Sequence, residues 1–222
     1  MVNSKHAFWL ALVFTIIVFI IGIALGFFLE QGRSSQLSSD VMKSEISLLD
    51  EQLRNKEVTM GSISCSVAVN DTFNFADRIY AEASALEQYD SASKFTSDLK
   101  EVHKRYDLLR LMLWDEAVQI RQNCNQSFHI VTYFFNYDST DTNIKAEQYT
   151  LSNLLLDTKG KNPGKILLIP IAANLGLESV NLTLDRYNVT SEPAIVIDES
   201  KIIYGVPTSN ELQNSIFNSN KE

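Results

Sequence analysis

Residues 7–29 read AFWLALVFTIIVFIIGIALGFFL and contain no charged side chain. As a helix they rise about 34 Å, enough to cross a hydrocarbon core of about 30 Å. The run predicts a transmembrane helix and makes the rest of the chain whatever lies on either side of it. A cleaved signal peptide is the rival reading, with Ala24-Leu25-Gly26 as a small-residue cleavage site. Signal cores are typically about 7–15 residues long, and Phe27, Phe28 and Leu29 carry this one past the site. The expectation is therefore an uncleaved single-pass anchor. Lys5 lies before it and Arg33 and Lys43 after it, so basic residues do not set its direction. A six-residue tail has little reason to be exported, which favours a cytoplasmic N-terminus and an extracytoplasmic C-terminal part.

Charge narrows the function. The chain has 27 acidic and 19 basic residues, a net charge of −8, and no basic stripe of the kind that tracks a phosphate backbone. Nucleic acid is not expected as a partner. Only eight glycines occur in the chain, and no Gly-rich phosphate loop, GxSxG or HExxH motif is present. His103 lies on a polar helix face and His129 among apolar strand residues, and neither has a metal-ligand partner at usable spacing. Sequons begin at Asn70, Asn125, Asn181 and Asn188. They allow an exported domain without arguing for one.

The organisation expected along the chain is a tail at 1–6, the transmembrane helix at 7–29, a linker and amphipathic stalk helix at 30–61, a helical hairpin at 62–125 and an α/β domain at 126–222. In the stalk, Met42, Ile46, Leu49 and Leu53 form one narrow apolar stripe. It is read as packing on its own domain, with coiled-coil homodimerisation as the alternative. The hairpin reads as a helix near 73–89, capped by Asp71 or Thr72, and a second from 93 to 123. The second helix has its stripe at Leu99, Val102, Tyr106, Leu109, Leu113, Ala117 and Ile120.

The last part reads as strand 128–135, helix 142–157 stopped by Gly160, strand 165–169 with Pro170 marking a bulge or its end, helix 177–187, strands 194–198 and 201–204, and a final helix from Pro207 or Thr208. The first strand runs into Tyr137-Asp138-Ser139-Thr140-Asp141, and the third is entered through Glu192-Pro193-Ala194. This order resembles a thioredoxin-like domain, a three-layer βαβ-α-ββα fold whose Trp-Cys-x-x-Cys motif sits at the same strand-to-helix turn. Tyr137 stands where that tryptophan would be, and Asp138 and Asp141 stand in the cysteine positions. The resemblance implies a cis bond at Glu192–Pro193. It also implies a polypeptide-binding surface at Tyr137, Asp138, Asp141, Glu192 and Pro193, because related domains lacking their cysteines often bind polypeptide near that loop. A carboxylate cannot attack sulfur, so no catalytic residue is assigned. The aspartates read as helix caps. With no further acidic cluster nearby, no metal and no other cofactor is expected.

Cys65 and Cys124 are the only cysteines. From the turn near Asp90 the second hairpin helix climbs about 50 Å to Cys124. The first climbs about 27 Å and the non-helical residues before it add up to about 20 Å, so the sulfurs can meet. A structural disulfide is expected, with free buried thiols or a redox pair as alternatives. The leading function is a membrane-anchored, redox-inactive interaction module for an unknown protein partner. The rivals are a thiol–disulfide oxidoreductase using Cys65 and Cys124 or a partner's thiol, and a structural scaffold subunit of a membrane complex.

Overall fold

A computed structural model describes residues 8–10, 12–24, 46, 49–54, 56–57, 63–90, 96–125, 128–137 and 139–218. The chain divides into two compact units, Met1–Asp50 and Glu51–Glu222. In the first, residues 8–10 and 12–24 are helical. Among the described residues no helix is long and apolar enough to cross a membrane. This corrects the expected architecture, which began with a transmembrane helix at 7–29. Ala7, Ala11 and 25–29 of that stretch lie outside the described residues, as does Met42 of the stalk stripe. The other stripe residues, Ile46, Leu49 and Leu53, are helical and exposed.

The second unit opens with a polar contact where an apolar one was expected. Glu51 is buried, and Arg54 donates to Glu51, Asp71 and Glu116. The guanidinium spans to Glu116 at 2.6 Å. The stalk residues are thus fastened to the hairpin by charge, while Leu53 faces solvent.

The hairpin consists of α1 (Cys65–Asp90) and α2 (Thr96–Asn123). Its first helix begins eight residues earlier than the capping signals suggested. Asp71 is occupied by Arg54, and the Thr72 hydroxyl donates back to Ala68 O at 2.9 Å, an internal helix bond. Neither is available as a cap. The α2 stripe is buried at Tyr106, Leu109, Leu113, Ala117 and Ile120 as its spacing predicted. The disulfide Cys65–Cys124 joins the start of α1 to the residue just past α2.

The sheet holds β1 (His129–Phe135), β2 (Ile166–Ala172), β3 (Ala194–Ile197) and β4 (Lys201–Tyr204) in the order β2-β1-β3-β4. β1 and β2 are parallel, and β1–β3 and β3–β4 are antiparallel. The parallel pair is bridged by α3 (Thr142–Lys161), as such pairs require. Helices α4 (Glu178–Arg186) and α5 (Ser209–Phe217) complete the chain order. Val131 and Tyr133 of β1 share one core with Leu151 and Leu155 of α3 and Leu212 and Ile216 of α5. On the other face the Phe134 ring lies 5.9 Å from Trp114 of α2. β1 is therefore buried on both sides, which explains why apolar residues occupy both of its faces.

Two punctuation marks are crossed rather than obeyed. Gly160 lies inside α3, which ends at the Asn162 cap. Pro170 lies inside β2, which pairs only with β1, so its missing N–H falls on an open edge.

Candidate functional site

The turn after β1 is built by three local devices. Gln148, on α3, clamps the strand end: Asn136 N donates to Gln148 Oε1 at 2.8 Å, and Gln148 Nε2 donates to Asn136 O at 3.0 Å. Tyr137 N donates to Asn174 Oδ1 at 2.7 Å, which ties the turn to the loop after β2. Asp141 is the N-cap of α3, with φ −78° and ψ 119°, and its carboxylate accepts from Asn143 N at 2.8 Å. The cap fills one of the helix's unpaired amides and places negative charge at the positive end of the dipole.

The expected surface residues are treated unequally. The Tyr137 ring is half-buried and lies 4.4 Å from the His103 ring of α2, so the hairpin occupies one side of it. Asp141 is exposed, Glu192 is half-buried and Pro193 is buried. Asp138 lies outside the described residues. The Glu192–Pro193 bond is cis, and Pro193 O accepts from Gly205 N at 3.2 Å. Phe134 is paired with Ala194 in antiparallel register. The end of β1 and the entry to β3 therefore lie side by side, which brings the turn at 136–141 and the loop at 192–193 to the same end of the sheet.

The cysteines lie at the other end. Cys124 precedes the start of β1, and the space around the disulfide is bordered by Gly164, just ahead of β2. Seven residues of β1 separate that end from Tyr137, a rise of about 23 Å. The sulfurs are bonded at 2.06 Å, and they cannot reach the turn.

Buried charges that apolar periodicity does not reveal hold this arrangement together. Asp107 of α2 accepts from Ala172 N at 3.1 Å and from Arg110 Nη1 at 3.0 Å. Burial pushes its carboxyl up to about 6, and Arg110 and the Ala172 amide oppose that rise. Because Ala172 pairs with Phe135, Asp107 anchors the hairpin at the strand ends beside the turn. At the opposite end Arg121 bonds Phe128 O at 3.1 Å and pairs with Asp198 at 3.0 Å. Asp198 also accepts from Ile130 N at 2.9 Å and lies 2.7 Å from His129 Nδ1. His129 is thus part of a structural pin. Among the described residues no group of three or more His, Cys, Asp or Glu could hold a metal ion.

The architecture defined by these elements is a mixed α/β sheet with a disulfide-closed hairpin, compatible with a thioredoxin-like fold. No protein-family model and no curated protein matches the chain.

Proposed function

We propose that this chain is a redox-inactive interaction module of thioredoxin-like fold that engages a partner polypeptide where β1 ends and β3 begins. The observation that carries the reading is the role of Asp141. It holds the position of a redox motif's second cysteine, and its carboxylate caps α3 through the Asn143 amide. A side chain used this way positions the helix and offers no sulfur for exchange. The Cys65–Cys124 disulfide, at the far end of the sheet, supports residence in an oxidising, extracytoplasmic compartment. The exposed Asp141 and half-buried Glu192 give this end of the sheet an acidic rim, which favours a partner segment carrying basic residues.

Photo-crosslinking residues placed singly at 141, 192 and 165 test the reading in the cells that make the protein. Position 165 is exposed at the opposite end of the sheet. The reading expects one shared protein adduct from 141 and 192 and none from 165. The same adducts from all three positions, or no adduct from 141 and 192, would contradict it.

A further inference from the structure

We infer that a cavity of about 440 Å³, lying along the open edge of β2 between α1 and α3, is a binding site for a fatty carboxylate with a single acyl chain. The cavity shares Tyr137 with the proposed partner surface, but its apolar floor and Lys145 lie outside that surface. Pro170 interrupts the outer edge of β2, so that edge offers a broken row of backbone donors to a strand. Side chains close the space instead. Ile79 of α1, Leu155 of α3 and Ile169 of β2 are buried and form an apolar floor. Tyr80 and Tyr149 stand at the mouth, 47% and 73% exposed. Lys159 Nζ lies 5.8 Å from the Tyr80 ring, and Tyr149 is open to solvent. The volume falls in the lower part of the range of about 300–1,000 Å³ typical of small-molecule sites.

Charge selects the head group. The chain carries 27 acidic residues against 19 basic ones, yet none of the described residues lining this cavity is acidic. Three cations line it. Arg110 is paired with Asp107 at 3.0 Å, and Lys159 with Asp77 at 3.2 Å, across from α3 to α1. Lys145, exposed on the first turns of α3, forms no ion pair among the described residues. One available ammonium over an apolar floor is complementary to one carboxylate carrying a hydrocarbon body. A ligand with several charges would leave charge unpaired against Ile79, Leu155 and Ile169, which is costly. The hydrocarbon supplies the bulk of the affinity through apolar burial, and Lys145 supplies the preference for an anion.

Isothermal titration of the full chain with laurate, below its micelle concentration, tests this. Dodecyltrimethylammonium and dodecanol serve as matched probes with the opposite charge and with none. The expected result is one saturable laurate site at least tenfold tighter than the site for the cation. Lys145→Glu should weaken laurate at least tenfold and leave dodecanol unchanged. Ala83→Trp, which fills the cavity, should abolish both, and Lys165→Glu, outside the cavity, should change neither. A melting scan of each variant checks that it folds. Equal binding of the cation, laurate binding indifferent to Lys145→Glu, or no saturable binding would each overturn the inference. A protein adduct formed from position 149 that laurate fails to displace would assign the groove to a polypeptide, and would also overturn it.

Discussion

Asp141 and Glu51 show how differently two carboxylates can be used. Asp141 is exposed and local, since its partner is two residues away. Its role was legible in the sequence because capping needs only an acidic residue ahead of a helix. Asp141→Ala should cost about 1 kcal/mol, read from the denaturant midpoint, while Asp141→Asn should be nearly neutral. Glu51 is buried, and its environment was not legible, because it is made by Arg54 beside it, Asp71 on α1 and Glu116 on α2. Burial raises its carboxyl to about 7. Arg54 opposes the rise and Glu116 adds to it. A carboxyl held above its unfolded value favours the folded state most when protonated. Its contribution is therefore fully present below about pH 4.5 and is lost as pH rises through about 7. Asp107 acts in the same direction between its ordinary value of 3.8 and about 6. Glu51→Gln should raise the melting temperature at pH 8 relative to the native chain and should flatten the profile between pH 5 and 7. A wild-type melting temperature that rises steadily from pH 5 to 8 would contradict the assignment.

Among the elements, helices and strands with a clear period were readable and their ends were not. The α2 stripe and the β1 run were fixed by spacing alone, since burial on a helix face or on both faces of a strand leaves a direct imprint. The start of α1 was misplaced because Asp71 and Thr72 carry the chemistry of a cap. Asp71 instead meets Arg54, 17 residues away, and the Thr72 hydroxyl turns back to Ala68 O beside Glu116. Gly160 reads as a stop in sequence, and Pro170 as a stop or a bulge. The first is carried within α3 and the second lies on an edge strand, where tertiary position overrides local preference. The disulfide was legible because helix lengths allowed it. It closes a loop with a sequence separation of 59, which the chain-entropy model values at about 4 kcal/mol. Cys65→Ser should lower the unfolding free energy by about that amount and leave one titratable thiol at Cys124. A loss below about 1 kcal/mol would mean that the Arg54 cluster and the α1–α2 packing hold the hairpin without it.

At the scale of the molecule, the parallel β1–β2 pair and the β3–β4 hairpin could be anticipated from element order, because a parallel pair needs a helical crossover and a hairpin does not, while the β1–β3 pairing that joins them could not. The two-sided burial of the sheet could not be anticipated, because the hairpin's contribution rests on Trp114 against Phe134 and Asp107 against Ala172. The expected membrane-crossing helix is corrected: among the described residues no helix meets the length that a bilayer demands. At the candidate site, the sheltering of Tyr137 by His103 and the burial of Pro193 arise only from packing and leave no sequence signal.

The central claim is that the strand-to-helix turn keeps the fold's geometry and has no thiol chemistry. Insulin reduction by the full chain, with dithiothreitol as the electron source, tests it most directly. The account predicts a rate equal to the protein-free background, unchanged in Cys65→Ser, Cys124→Ser and Asp141→Asn. Turnover above background that disappears in Cys65→Ser or Cys124→Ser would contradict the account and make the chain an oxidoreductase.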